Sequence, residues 1–256
     1  MELEPVDLYF EETGNGFPVF LLHGYPLNHT IWKSVVARLK DHARVIMPDL
    51  RGHGQSPVTD GEYSMRLQAE DIHHLLERLG IQKAILVGHS MGGYVCLSFA
   101  RAYPQCLSGL ALVASQAEAD STEKRQARYI SIEEVGRKGV KAVAKKMLPR
   151  LTQRKDLESE LIEMMLKTPK KGIIGALKGM AERPNALEWL AEITVPAVVI
   201  AGQEDLNIPL ERERTMAQML TRGWLVEVPG VAHLPMMEEP QTVSDALIQL
   251  VNLASA

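Results

Sequence analysis

The segment Val87-Gly88-His89-Ser90-Met91-Gly92-Gly93 constrains this chain more than any other. It follows an apolar run, Ala84-Ile85-Leu86-Val87, and leads into the helix-like stretch Tyr94-Val95-Cys96-Leu97-Ser98-Phe99-Ala100. The order is strand, sharp turn, helix, with Ser90 at the apex. Gly88 and Gly92 frame the serine as Gly-x-Ser-x-Gly. A turn this tight leaves no room for bulky neighbours, which explains glycines at i−2 and i+2. The serine oxygen is then raised above the sheet edge, at a helix N-terminus that favours developing negative charge. Five common residues also meet by chance in ordinary turns. The strand before and the helix after decide against that reading.

The rest of the chain supplies a sheet for such a turn. Val19-Phe20-Leu21-Leu22, Arg44-Val45-Ile46-Met47 and Gly109-Leu110-Ala111-Leu112-Val113 read as further strands. Residues 32–39 and 64–79 have helical spacing between them, and Gly80 ends the second. The alternation resumes late, with strands at 195–201 and 224–228, a helix at 211–220 and a last helix after Pro240. The expected fold is α/β, a mostly parallel β-sheet flanked by helices.

Between about residues 117 and 186 no strand-like run occurs. Val140, Val143, Ala144, Met147, Leu148 and Leu151 fall at helical spacing instead. Leu157, Leu161, Met164 and Met165 repeat it, as do Ile173, Ile174, Leu177, Met180 and Ala181. The expected organisation is a core at 1–116 and 187–256 interrupted by a helical cap at 117–186. Met147, Met164, Met165 and Met180 either line a pliable apolar pocket or form the core of the cap itself. Charge is split along the same boundary. Residues 118–183 hold 16 Lys and Arg against 10 Asp and Glu, while the remainder holds 12 against 22. We read these cations mainly as solvated helix faces that also hold the cap to an acidic body. The other reading is steering of anionic substrates.

Net charge of −4 gives no reason to expect nucleic acid. The start, Met1-Glu2-Leu3-Glu4-Pro5, lacks the basic and apolar parts of a signal peptide. No apolar run is long enough to span a bilayer. Only Cys96 and Cys106 occur, which does not suggest a disulfide framework, and Cys96 fits a small core position. A cytoplasmic location away from membranes is the expectation.

A serine hydroxyl is a poor nucleophile at neutral pH and needs a base, which in turn needs an acid to fix its tautomer. His233, in Val228-Pro229-Gly230-Val231-Ala232-His233-Leu234, follows a strand directly. So does Asp205, in Ala201-Gly202-Gln203-Glu204-Asp205, with Glu204 as the rival acid. The order Ser90, Asp205, His233 is that of one convergent triad, and a parallel sheet brings strand ends to one edge. An oxyanion hole needs two backbone donors. The candidates are the N–H of Met91, at the helix start, and of Tyr25, in His23-Gly24-Tyr25-Pro26. No metal site is implied, because His73 and His74 are adjacent rather than spaced for one ion. No Gly-rich cradle for a cofactor appears.

These segments together resemble the α/β-hydrolase superfamily. The resemblance also rests on Asp49-Leu50-Arg51-Gly52-His53-Gly54-Gln55-Ser56 and on His233-Leu234 followed by Glu239-Pro240. It implies the α/β-hydrolase fold, with Asp49, Arg51 and His53 as a structural network and His89 as a packing residue. The cap tract, ending Gly179-Met180-Ala181-Glu182-Arg183-Pro184, is similar to that of small bacterial carboxylesterases, with enol-lactonases and cofactor-free perhydrolases as near relatives. Ala232 stands where the family usually has Gly before the histidine. The implied activity is serine carboxylesterase on a small-molecule ester of short to medium acyl length, without cofactor. Tyr25, Met91 and Leu234 are the candidate substrate contacts. Lactone opening, carbon–carbon hydrolysis and perhydrolysis use the same three residues. A ligand-sensing receptor on a hydrolase scaffold is the alternative of another class.

Overall fold

In the computed structural model, which describes residues 4–255, the apolar runs become one seven-stranded sheet. Its strands are β1 (Phe10–Thr13), β2 (Pro18–Leu22), β3 (Arg44–Pro48), β4 (Ala84–His89), β5 (Leu107–Val113), β6 (Ala197–Gly202) and β7 (Gly223–Val228). They lie in the order β1-β3-β2-β4-β5-β6-β7. All pair in parallel except the edge strand β1, which runs antiparallel to β3. Met1, Glu2 and Leu3, on which the signal-peptide argument partly rests, lie outside the described residues.

The helices are α1 (Lys33–Leu39), α2 (Met65–Arg78), α3 (Met91–Ala102), α4 (Thr122–Lys138), α5 (Val140–Leu151), α6 (Glu158–Lys167), α7 (Lys170–Ala181), α8 (Leu210–Met219), α9 (Pro235–Glu238) and α10 (Pro240–Ala254). Side chains alternate across a strand, so a run apolar at every position needs cover on both faces. Phe20, Leu22, Leu86 and Leu112 join Leu76 of α2 and Phe99 of α3 in one buried cluster. Val19, Leu21, Val87 and Val113 join Leu39 of α1 and Leu247 of α10 in the other. Local chemistry sets the helix ends. The Ser64 hydroxyl accepts the N–H of Leu67 at 3.1 Å and caps α2, and Gly80 takes a φ of 65° just past its end. Pro240 sits in the first turn of α10, where no N–H is missed. No described helix is long and apolar enough to cross a membrane.

Helices α4 to α7 lie between β5 and β6, which are neighbours in the sheet. The two ends of this insert meet, since the Ala186 N–H donates to the Ala117 carbonyl at 2.9 Å. The insert is bonded directly to the loops at the carboxyl ends of the strands. Thr168 Oγ1 donates to the Pro26 carbonyl at 2.9 Å, Arg150 Nε to Asn207 Oδ1 at 2.8 Å, and the His233 N–H to the Leu151 carbonyl at 3.1 Å. Met164, Met165 and Met180 are buried, and Met147 is half-buried. Two elements differ from the sequence expectation. The strand β1 was not foreseen, and α4 has almost no buried stripe, Val135 being its one buried residue.

Candidate active site

The sheet register decides which residues meet. Leu22 pairs with Gly88, Gly88 with Leu112, Val113 with Ile200, and Gly202 with Val228. The carboxyl ends of β2, β4, β5, β6 and β7 are therefore level, and the loops that follow them share one edge.

Ser90, between β4 and α3, has φ 50° and ψ −111°. Such backbone costs a non-glycine residue about 1–3 kcal/mol. Four hydrogen bonds oppose that cost. The Ser90 N–H donates to the Val113 carbonyl at 2.9 Å. The Ser90 carbonyl accepts the N–H groups of Gly93 at 3.0 Å and Tyr94 at 3.3 Å, and the Ser115 hydroxyl at 2.9 Å. At about 1 kcal/mol each, they are enough to hold the turn. Close approach explains the flanking glycines. A Cβ on Gly92 would lie 2.6 Å from the Leu22 carbonyl oxygen and 2.8 Å from that of His23.

The structure brings His233 and Asp205 to this serine. His233 Nε2 lies 3.0 Å from Ser90 Oγ, and His233 Nδ1 lies 2.6 Å from Asp205 Oδ2. The Asp205 side chain is fully buried, and its other oxygen accepts the N–H groups of Asn207 at 2.7 Å and Ile208 at 3.1 Å. An ionised carboxylate held this way only accepts, so the proton sits on Nδ1 and Nε2 is left as acceptor for the serine proton. Glu204 is exposed and contributes its backbone N–H, which donates to the Val231 carbonyl at 2.8 Å.

His89 does more than pack. Its Nε2 donates to the His233 carbonyl at 2.8 Å, and the two ring centroids are 4.9 Å apart. Burial, then the nearby His233, holds its pKa well below the ordinary histidine value, so the ring is neutral. Gly24 lies against the serine, because a Cβ there would be 3.1 Å from Ser90 Cβ. The next peptide, Tyr25–Pro26, is cis. Among the described residues, the backbone N–H groups of Tyr25 and Met91 have no acceptor within the protein. Leu234 is placed differently. It is completely buried in the cluster with Val231 and Met236, and its carbonyl caps α9 by accepting the N–H groups of Met237 and Glu238.

The Asp49 carboxylate is buried and accepts the His29 N–H at 2.9 Å and the Gln55 N–H at 2.8 Å. Arg51 grips Asp71 with two bonds, at 2.6 and 2.9 Å. Among the described residues, no group of three or more His, Cys, Asp or Glu could hold a metal ion.

Sequence reasoning gave no role to a buried charge cluster between the insert and the core. Asp120, whose side chain is fully buried, pairs with Arg128 and, at 2.8 Å, with Arg183. The Arg183 guanidinium lies 4.2 Å from the centre of the Tyr94 ring. Glu213 of α8 is also fully buried, and burial followed by the Asp205 charge raises its pKa well above the usual carboxyl value. No local pattern marks such residues, because their partners are brought together only by the fold.

A model of the alpha/beta hydrolase fold matches residues 18–240 of this chain. An uncharacterized protein of Mycobacterium tuberculosis is 30% identical over 218 residues. That match covers 85% of this chain and 60% of the relative, so the chain spans less than two thirds of that protein's length. A thermophilic esterase from Thermogutta terrifontis, solved with malate bound, is 38% identical with a TM-score of 0.95, over 98% of this chain and 95% of its own. The enol-lactonase of Burkholderia xenovorans shares the fold, with a TM-score of 0.89 and 24% identity over 96% of each chain.

Proposed function

We propose, for a chain that belongs to the α/β-hydrolase fold family, that it is a serine carboxylesterase acting on esters of short to medium acyl length. The observation that carries this reading is the relay from Asp205 through His233 to Ser90, with bonds of 2.6 and 3.0 Å. In this reading Ser90 Oγ attacks the ester carbonyl while His233 Nε2 takes its proton. Asp205 keeps the Nδ1 proton in place and stabilises the imidazolium that forms. The N–H groups of Tyr25 and Met91 receive the oxyanion of the tetrahedral intermediate. His233 then protonates the leaving alcohol. Water, deprotonated by the same ring, releases the acid from Ser90. The similarity to a thermophilic esterase at 38% identity supports ester chemistry over the other reactions such a relay can run.

The helices of residues 117–186 act, in the same reading, as a cap over the acyl group. Their bonds to the Pro26, Asn207 and His233 loops support this, since those loops carry the proposed hole, acid and base.

Purified Ser90→Ala protein tests the proposal on p-nitrophenyl esters. We expect turnover to fall by on the order of 10⁵ or more. An organophosphonate should label Ser90 with one adduct per wild-type chain. Near-wild-type turnover by Ser90→Ala protein would falsify the assignment of the nucleophile.

A further inference from the structure

The strands β4 and β5 end at one level, with His89 paired to Val113. The residues just past those ends, Ser90 and Ala114, have φ 50° and 46°. They are the non-glycine residues with positive φ among the described residues. The sharp turn into α3 accounts for Ser90. Nothing in that motif asks the same of Ala114, which is completely buried and whose N–H donates to the Ile200 carbonyl at 2.9 Å. Backbone strain of this kind persists only where the surroundings hold it, and it gathers at functional sites. The turn at Ala114 delivers the next side chain, Ser115, to the nucleophile. The Ser115 hydroxyl is buried and donates to the Ser90 carbonyl at 2.9 Å. Gly93 makes room for it, since a Cβ there would lie 2.3 Å from Ser115 Oγ.

The Ser90 carbonyl does not need this hydroxyl to be satisfied. A carbonyl oxygen has two lone pairs, and the N–H groups of Gly93 and Tyr94 already meet them at 3.0 and 3.3 Å. A third donor, buried and delivered by a strained turn, has another use. The Ser90 carbonyl and the Met91 N–H are the two polar ends of one peptide unit. That unit is planar and trans, so the two groups point in opposite directions. Fixing the carbonyl from behind therefore fixes where the N–H aims. Drawing electron density toward the carbonyl oxygen also makes the N–H a stronger donor, because linked hydrogen bonds polarise one another. Among the described residues the Met91 N–H has no acceptor of its own, so it is free to meet a substrate oxygen.

We propose that Ser115 is a positioning residue for the oxyanion hole, its hydroxyl acting through the Ser90 carbonyl to aim and polarise the Met91 N–H. The proposal rests on the esterase reading above and adds the side chain that stands behind one of its two oxyanion donors. The strain at Ala114 and the absence of a side chain at Gly93 then serve one purpose, the seating of this hydroxyl.

The test compares two ketones of one shape. Butyl trifluoromethyl ketone accepts Ser90 Oγ at its carbonyl carbon, the serine proton passes to His233 Nε2, and the carbonyl oxygen becomes an oxyanion in the hole. Butyl methyl ketone fills the same site without forming that oxyanion. The ratio of their dissociation constants, measured by calorimetry, therefore isolates oxyanion stabilisation. Wild type should bind the fluorinated ketone about a hundredfold more tightly or better. Ser115→Ala should lower that ratio, and kcat/KM for p-nitrophenyl butyrate with it, by roughly two- to eightfold. That range is a strengthening of roughly 10–30% per linked bond, applied to a donor worth about 10²–10³ in rate. A misfolded fraction would reduce the number of sites and leave the ratio unchanged. Ser115→Cys fills similar space with a much weaker donor, so it should match Ser115→Ala, and it carries the test if Ser115→Ala fails to fold. An unchanged ratio in the folded variants, equal weakening of both ketones, or a wild-type ratio in Ser115→Cys overturns the proposal. So does a wild type that binds the two ketones alike. A wild type that prefers the fluorinated ketone yet turns over no ester sinks the esterase reading alone, and the ratios in the variants still decide the role of Ser115.

Discussion

At the scale of single residues, the site depends on which of two adjacent carboxylates reaches His233. Asp205 does so from a buried position with both oxygens engaged, whereas Glu204 is exposed. Asp205→Asn should lower kcat by about 10⁴, because an amide no longer selects the tautomer with Nε2 free. Glu204→Gln should stay within about twofold of wild type, since its backbone bond to Val231 survives. A healthy Asp205→Asn beside an inactive Glu204→Gln, measured as ester turnover, would move the acid to Glu204. His89 adds a lesson of the same size. Its ring fixes the His233 backbone from the position just before the nucleophile. The motif alone could not show this, since the bond spans 144 residues of chain.

At the scale of elements, periodicity and punctuation made most of the core legible. The strands β2 to β7 each carry an apolar run, and Gly80 and Pro240 mark helix ends. The sequence Phe-Glu-Glu-Thr of β1 carries no such run, because an edge strand needs no second buried face. Helix α4 was illegible for a related reason. It contributes charged partners to the interior rather than an apolar stripe, and a half-buried Arg128 looks like a solvated one until Asp120 is folded against it. The turn between β4 and α3 gives a sharper expectation. Gly92→Ala would press a methyl group onto the Leu22 and His23 carbonyls and should cost about 1–3 kcal/mol by urea unfolding. Ester turnover should fall with it, because the same backbone carries Ser90. Helices α5 and α6 set another limit, since Leu151, Leu161 and Met164 are buried with the core. A series of p-nitrophenyl esters should therefore show kcat/KM peaking at short to medium acyl chains, and a maximum at long chains would refute a bounded site.

At the scale of the whole molecule, several buried histidines tie stability to pH. Burial lowers the pKa of His53 to about 3, helped by the nearby His23. The same ring in the unfolded chain titrates near the ordinary value of about 6.5. Between those values the unfolded state binds the extra proton, so stability rises with pH through this window and is lost as pH falls below about 6.5. At pH 5 the loss from His53 alone is about 2 kcal/mol. His53→Asn, whose amide can still donate to the Arg51 carbonyl, removes that titration. Urea unfolding at pH 7 and pH 5 should show wild type losing about 2 kcal/mol more than the variant. Equal losses would assign the acid sensitivity to other groups.

The single hydrogen bond between Ala186 and Ala117 has a consequence for how such a chain diversifies. It pinches the insert at its neck, between two strands that are already neighbours. The scaffold therefore experiences the segment as a short hairpin, whatever its contents. Closure entropy grows only slowly with loop length, so residues added beyond the neck cost the sheet little as long as the bonds from Thr168, Arg150 and Leu151 to the strand-end loops are kept. A graft of this segment, though cut at one stem, must therefore rebuild its seams with the Pro26, Asn207 and His233 loops.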